Sequence, residues 1–225
     1  MTRRSYAQYC GLAKALDVLG ERWTLLVIRE LMGGPKRFSD LLDGLPGIGG
    51  NVLSTRLKAL DAEGVIARRR LPPPAASTVY ELTDRGRELE PALLSLMRWG
   101  IDLLGAPGEE ERFRPAWLLN GLRAAFDPDA AKGVRRVYRL RVDGDAYTVR
   151  VDDGTLAVDQ GETAAADVAM ALDSKTLMAV SGGALTAGEA IDDGRVVVEA
   201  GDPDEALGFA GLLRLPARLA TSVLD

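Results

Sequence analysis

The amino-acid sequence predicts an α+β protein of two parts. The first is a group of helices that ends in a two-stranded hairpin and a long helix. The second is an α+β domain whose mostly antiparallel sheet is covered by helices. Apolar residues recur every three or four positions in the first part, as in amphipathic helices, and alternate with polar ones from Tyr138 onward, as in half-buried strands. The net charge changes from +3 in residues 1–105 to −8 in residues 106–225, and a linker is predicted at 106–111.

Three helices open the first part. The first carries Leu16, Leu19, Trp23, Leu26, Val27 and Leu31 at helical spacing and ends at the Gly-Gly-Pro of residues 33–35. A short helix is predicted at 37–42, and the turn at 45–50 leads into a third helix at about 51–63. Leu53, Leu57 and Leu60 form the buried stripe of this third helix, and Asn51, Ser54, Thr55 and Lys58 form its exposed face. The pattern is typical of two helices joined by a turn, with one polar face left outward.

A hairpin and a long helix complete the first part. Strands are predicted at 65–70 and 78–82, joined by a tip at 71–77 that three prolines stiffen. Thr83 is predicted to cap a helix whose apolar stripe extends from Leu89 to Leu104. Together the elements have the order of a winged helix-turn-helix, which we assign to residues 1–105.

The order of elements in this part indicates DNA binding. A DNA major groove about 12 Å wide admits one helix, and short polar side chains on its outward face reach base edges. The preceding helix then crosses the backbone, and a basic hairpin lies along phosphates. Arg68 and Arg70 share one face of their strand, so they and not Arg69 are the predicted phosphate contacts. The predicted DNA-binding residues are Arg37, Ser39, Asn51, Ser54, Thr55, Arg56, Lys58, Arg68 and Arg70. The alternative is a winged helix used only as a protein-docking surface.

The first part also resembles the HxlR-type regulators. The resemblance is carried, in order and spacing, by ALDVLGERWTLLVIREL (15–31), KRFSDL (36–41), LSTRLKAL (53–60), GVIAR (64–68), YELTDRG (80–86) and MRWG (97–100). It implies a homodimer joined through the first and last helices of this part, bound to a palindromic operator, and repression in preference to activation. A partner helix would also bury the long apolar stripe, although the C-terminal domain could cover it instead.

Cys10 aligns with a cysteine that senses oxidants or electrophiles in some HxlR-type proteins. A reactive thiolate needs a nearby cation or a helix N-terminus, and Lys14 lies one helical turn away. The preferred interpretation is a small buried apolar residue near the dimer interface, with modest reactivity at most. Fast labelling that abolishes DNA binding would contradict it.

The second part is predicted to begin with a helix around residues 117–126. Two tight turns, Asp143-Gly144-Asp145 and Asp152-Asp153-Gly154, connect three strands as hairpins, and a further strand lies near 168–172. A helix capped at residue 173 or 174, a capping box of Thr186 and Glu189, a strand at 196–198 and a helix starting at 202–203 follow. We therefore expect a sheet with one apolar face.

This second part resembles sterol-carrier-protein-like domains over residues 112–214. The matching segments are VDGDAY (142–147), DGTL (153–156), AADVAMAL (165–172), GALTAGEAIDDGRV (183–196) and GD (201–202). The resemblance implies an apolar ligand held between sheet and helices, which would make this part an effector sensor. A core that serves only dimerisation or docking remains open, because a core needs the same residues. The predicted lining residues are Trp117, Phe126, Tyr138, Tyr147, Met170, Met178 and Phe209.

Composition excludes several other classes. The chain has no histidine and a single cysteine, so histidine-based nucleophilic sites, His-ligated metals, intramolecular disulfides and multi-thiolate zinc sites are excluded. No metal or cofactor is predicted. Without an apolar run long enough for a membrane span or a signal peptide, the chain is expected in the cytoplasm. A DNA-binding regulator is therefore preferred over a carrier or adaptor, and a carboxylate-based enzyme ranks last.

Overall fold

The computed structural model describes residues 5–72, 76–105, 108, 111, 113–163 and 165–215. The chain forms two compact units, Met1–Leu93 and Leu94–Asp225. This division falls inside one helix, and the domain bounds 1–105 and 112–214 stay predictions. Most of the predicted linker and the centre of the hairpin tip, residues 73–75, lie outside the described residues. Within the described residues, no helix combines the length and the apolar character that a bilayer crossing requires.

The first unit consists of helices packed with a small sheet. The helices are α1 (Gly11–Leu19), α2 (Thr24–Met32), α3 (Phe38–Gly44), α4 (Gly50–Ala62), α5 (Asp84–Arg87) and α6 (Glu90–Ile101), which continues into the second unit. The strands are β1 (Lys36–Arg37), β2 (Ile66–Arg70) and β3 (Thr78–Leu82), in the order β1-β3-β2 with antiparallel pairing. The wing predicted from sequence is the β2–β3 hairpin.

The prediction of one continuous first helix is wrong. Residues 16–31 belong to two helices, α1 and α2, which are separated by a break at Gly20–Trp23. Gly20 ends α1, with its N–H donating to the Leu16 carbonyl at 2.8 Å. Trp23 has a left-handed φ of 78°, which is unfavourable for a bulky side chain and incompatible with a continuing helix. Helical spacing of the apolar residues persists across the break and hides it.

The predicted long helix at the end of this part is also divided. A single turn, α5, precedes α6, which ends at Ile101. Thr83 caps α5 as predicted, because its side-chain oxygen accepts a hydrogen bond from the Gly86 N–H at 3.1 Å. The same hydroxyl donates to the Gly64 carbonyl at 2.6 Å, so one residue connects the start of the wing to the helix that follows it.

The second unit is a five-stranded sheet with helices. A 3-10 turn at Pro115–Trp117 leads into α7 (Leu118–Ala125), followed by β4 (Arg135–Val142), β5 (Asp145–Asp152), β6 (Thr155–Gln160), β7 (Val168–Leu172), α8 (Ser174–Ser181), α9 (Ala187–Asp192), β8 (Val196–Ala200) and α10 (Pro203–Gly211). The strand order is β6-β5-β4-β7-β8, and only the β4–β7 pair of these described strands is parallel. The α+β class and the mostly antiparallel sheet are therefore confirmed.

The predicted turns connect the first three strands of this sheet. Asp143 and Gly144 have φ of 49° and 91°, and Asp153 and Gly154 have φ of 44° and 84°. Two consecutive positive φ values are those of a type I′ turn, whose twist matches that of paired strands. The capping box is also present, since Glu189 accepts from the Thr186 N–H at 3.0 Å and the Thr186 side chain accepts from the Glu189 N–H at 3.2 Å.

Candidate nucleic-acid interface

Helix α4 presents one apolar face and one polar face. Its first turn is closed by the Leu53 N–H, which donates to the carbonyl of Gly49 at 3.0 Å. Leu53, Leu57 and Leu60 are at most 2% exposed and anchor the helix in the core of the first unit. Because residues three and four apart share a face of a helix, the polar residues between these leucines point the other way.

The outward face of α4 consists of Asn51, Ser54, Thr55 and Lys58. Asn51, Thr55 and Lys58 are exposed, and Ser54 is half-buried. The Thr55 hydroxyl donates to the Asn51 carbonyl at 2.8 Å, which leaves the lone pairs of its oxygen free to accept a hydrogen bond. The face therefore offers amide, hydroxyl and ammonium groups, all of which can bind base edges or phosphates.

The other predicted residues of these two helices are Arg56 in α4 and Arg37 and Ser39 at the start of α3. Arg56 is half-buried, and its guanidinium pairs with the Glu21 carboxylate at 3.3 Å. Arg37 and Ser39 are exposed at the start of α3, where the Arg37 N–H donates to the Asp40 carboxylate at 2.9 Å. Arg37 and Ser39 are thus accessible to a polyanion, whereas the Arg56 guanidinium already has an anionic partner. Sequence spacing gave no signal of the partner, because Glu21 lies on the loop between α1 and α2.

The three arginines of the wing differ in their partners. Arg69 forms two hydrogen bonds with the Glu81 carboxylate, at 2.8 and 2.9 Å. This pair raises the pKa of Arg69 and lowers the pKa of Glu81. Arg68 and Arg70 are exposed and line a shallow open groove together with Thr78 and Ala76. The charge available to a phosphate backbone is therefore that of Arg68 and Arg70. Thr78, which sequence reasoning missed, pairs with Arg70 across the hairpin.

The core of the second unit contains most of the predicted lining residues. Phe126, Tyr138, Tyr147, Met170 and Phe209 are buried in one apolar cluster. The rings of Tyr138 and Phe209 lie 4.6 Å apart between centroids. Trp117 and Met178 are half-buried, and Trp117 contacts Phe113 edge-on at 6.4 Å. The assignment of these residues to a ligand site stays a prediction.

Tyr147 has an unusual environment in this cluster. Its side chain is fully buried, and its hydroxyl has no hydrogen-bond partner within the part of the chain that the structure describes. Burial raises the pKa of Tyr147 to about 12, so the phenol remains protonated at neutral pH. A buried hydroxyl without a partner is unfavourable by about 1–3 kcal/mol. The hydroxyl can therefore donate a hydrogen bond to an acceptor that enters the core.

Cys10 is exposed and immediately precedes α1. A single chain thus does not bury it, contrary to the interpretation as a buried apolar residue; cover by a second copy stays a prediction. Hydrogen bonds from the backbone N–H groups of Ala13 and Leu12 lower the pKa of the thiol. Lys14 pairs with Asp17 at 3.8 Å, so the helix N-terminus and not this lysine favours the thiolate.

Two family models match the chain. The HxlR-like helix-turn-helix model matches residues 18–106, and the model of the SCP-2 sterol transfer family matches residues 119–214. The chain is 40% identical to the HTH-type transcriptional regulator YvaP of Bacillus subtilis over 40% of its own length and 82% of YvaP. It is 35% identical to the HTH-type transcriptional regulator YodB of the same organism, over 42% of its length and 84% of YodB. The solved reduced form of YodB matches with a TM-score of 0.38 at 33% identity, over 45% of this chain and all of YodB.

Proposed function

Because the chain belongs to the HxlR-like helix-turn-helix family of transcriptional regulators and carries an SCP-2-like domain, we propose that it is a dimeric repressor that senses an apolar molecule. The observation that carries the proposal is the polar outward face of α4, which stands opposite the buried leucines of the same helix. This face enters the major groove of a palindromic operator. Occupation of the operator blocks transcription, which is the sense of regulation that the family resemblance implies.

The wing supplies the sequence-independent part of the binding. Arg68 and Arg70 are exposed on one face of β2 and have no ion-pair partner among the described residues, whereas Arg69 is paired with Glu81. Each arginine that neutralises a phosphate releases counterions, so the affinity falls as salt rises. The wing therefore holds the protein on the duplex, and α4 reads the sequence.

The role of the wing can be tested by removing its two exposed arginines. Replacing Arg68 and Arg70 together by alanine is expected to weaken binding about tenfold at moderate salt and to lower the slope of log K against log salt by about 2, roughly 1 for each lost phosphate contact. Fluorescence anisotropy on the DNA upstream of the protein's own gene, at several salt concentrations, measures both quantities. Arg69→Ala is the matched control and should leave the slope nearly unchanged, because its guanidinium is occupied by Glu81. A slope that is flat for the wild type would favour a docking or carrier role instead.

A second copy of the chain is proposed to cover the apolar residues that α1 and α6 leave exposed. Leu12 on α1 is 69% exposed and Trp99 on α6 is 67% exposed. Leu16 and Leu96 lie on the same two helices and are also exposed. Large apolar side chains that a helix leaves exposed are typical of an interface, and a two-fold dimer uses the same surface of both copies. The proposed interface therefore consists of α1 and the exposed side of α6.

Truncation of Leu12 tests the dimer. Leu12→Ser is expected to raise the dimer dissociation constant about tenfold or more, because burial of a leucine side chain is worth about 1.5–3 kcal/mol and both copies lose it. Sedimentation equilibrium over a concentration series measures the constant. Val197→Ser, which removes an apolar side chain that is 53% exposed on β8, is the control and should leave it unchanged. Equal weakening by both substitutions would place the interface elsewhere.

The second unit is proposed to hold the effector. Its core lies between one face of the sheet and α7 and α10, and it contains the Tyr147 hydroxyl, which has no hydrogen-bond partner among the described residues. An apolar molecule with one acceptor atom would satisfy that hydroxyl. Its binding would shift the spacing of the two recognition helices to the extent that it prefers one arrangement of the dimer.

Retained ligand can be detected directly. Native mass spectrometry of the purified chain is expected to show a non-covalent adduct that organic extraction removes. The same measurement on Tyr147→Phe should show less adduct, because the hydrogen-bond donor is gone while the ring remains. A wild-type spectrum without adduct, together with no binding of a fluorescent fatty acid, would contradict effector sensing and leave DNA binding untouched.

A further inference from the structure

Arg98 joins α6 to the end of α7. The residue lies in the half of α6 that belongs to the second unit. Its Nε donates to the Ala124 carbonyl at 2.8 Å, and its Nη2 donates to the Phe126 carbonyl at 3.3 Å. The last carbonyls of a helix have no partner inside the helix, and a cation at that end also interacts favourably with the helix dipole. The guanidinium therefore closes the C-terminal end of α7.

The helix that Arg98 closes is one wall of the apolar core. Leu118, Leu122 and Phe126 project from α7 and the residue after it into the cluster that contains Tyr138 and Phe209. The backbone hydrogen bonds of α7 couple these side chains to the end of the helix. A change in the contents of the core that displaces these side chains therefore also displaces the carbonyls that Arg98 binds.

The end of α7 is also attached to the segment after α10. The Arg214 N–H donates to the Ala125 carbonyl at 2.7 Å, and the Arg214 side chain pairs with Asp127 at 2.9 Å. This attachment leads to the segment after α10, which belongs to the same unit. Among these described contacts, those of Arg98 are the ones that lead to α6, the helix that carries the exposed Leu96 and Trp99.

We propose that Arg98 transmits the state of the C-terminal core to α6 and so sets the affinity for DNA. The inference rests on the proposed function, in which α6 joins two copies and the core holds the effector. When α7 shifts, its two carbonyls move Arg98, and α6 changes its angle in the dimer. The recognition helices then change their separation, and the operator, whose half-sites have a fixed spacing, is bound less or more tightly.

A double-mutant cycle tests this without a known effector. The full-length chain first selects an operator from a random pool of double-stranded DNA, and Leu122→Ala then serves as the disturbance of the core. We expect Leu122→Ala to change the operator dissociation constant at least about fivefold, the lower end of typical allosteric coupling. In an Arg98→Met background, where the stem remains and the donors are gone, the same substitution should change it less than about twofold.

Two variants make the outcome decisive. Arg136→Met is the control, because Arg136 in β4 makes a comparable pair with Glu205, at 2.9 and 3.3 Å, and none of its hydrogen bonds among the described residues leads to α6. The Leu122→Ala effect should persist in it. If Leu122→Ala does not fold by circular dichroism, Phe126→Leu replaces it as the milder disturbance. Three results would overturn the role of Arg98. In the first, Leu122→Ala has the same effect on operator affinity with and without Arg98. In the second, that effect disappears in the Arg136→Met background, and in the third neither core variant changes the affinity. Failure to select any DNA would overturn the proposed function instead.

Discussion

Replacing Ser54, Thr55 and Lys58 together by alanine is expected to reduce operator affinity about 100-fold or more. Each good contact to a base edge contributes about 1–3 kcal/mol of discrimination, and about 1.4 kcal/mol corresponds to a factor of ten. Even at the lower end, the three side chains together account for two orders of magnitude. Binding to unrelated DNA should fall much less, because the proposed phosphate contacts of the wing are unchanged.

The substitution leaves the scaffold of α4 intact. Leu53, Leu57 and Leu60 still fill the core, and alanine has the highest helix propensity of all residues. Loss of the Thr55 hydroxyl removes a bond to the Asn51 carbonyl within the same helix, a contact that α4 does not need. A fall in affinity would therefore report lost contacts to DNA and not unfolding, which circular dichroism checks.

Gel-shift titration on the selected operator and on a scrambled duplex measures both affinities. Lys132→Ala is the charge control: it removes one lysine from the second unit, where the Lys132 ammonium pairs with Asp129 at 2.7 Å. It should change neither affinity by more than about twofold. If the triple variant binds the operator as tightly as the wild type does, the outward face of α4 does not read the sequence.

The elements that position this site were predictable because each has a strong local pattern. Helix α4 has both a buried stripe and a polar face, and the two strands of the wing are separated by a proline-rich tip. The break at Gly20–Trp23 was not predicted, because the apolar residues on both sides keep helical spacing. In the structure Gly20 ends α1, and the left-handed backbone of Trp23 prevents the helix from continuing. Strand β1 has two residues and exists only through its pairing with β3.

The other features that were not predicted depend on pairings between residues that are distant in sequence. Alternation along β2 correctly placed Arg69 on the opposite face from Arg68 and Arg70. The Arg56–Glu21 pair, in contrast, depends on how α4 packs against a loop. The parallel β4–β7 pairing likewise joins strands that are distant in sequence. Alternation assigned Tyr138 and Tyr147 to the apolar face, but it could not show that the Tyr147 hydroxyl has no partner in the described part of the chain. Periodicity indicates which face of an element a residue occupies, whereas the packing of distant segments determines which groups the residue contacts.

Gly86→Ala is expected to destabilise the first unit by about 3 kcal/mol, at the upper end for an overpacked site. Gly86 is buried in α5, and a Cβ at this position would overlap the carbonyl oxygen of Val65. That carbonyl cannot move freely, because it accepts a hydrogen bond from the Thr83 N–H at 3.1 Å. The strain therefore falls on the junction between the wing and the helices that follow it.

The consequence reaches the candidate nucleic-acid interface, because the Thr83 hydroxyl donates to the carbonyl of Gly64, two residues after the end of α4. Thermal unfolding should show a midpoint lower by roughly 10 °C or more for a unit of this size, and operator binding should weaken in parallel. Gly100→Ala in α6 is the matched control: a Cβ there meets no atom within 4 Å, so the reduced freedom of the unfolded chain should raise stability by about 0.4–1 kcal/mol. Equal midpoints for Gly86→Ala and the wild type would mean that the Val65 carbonyl yields easily, and that the wing is not held rigidly against α5.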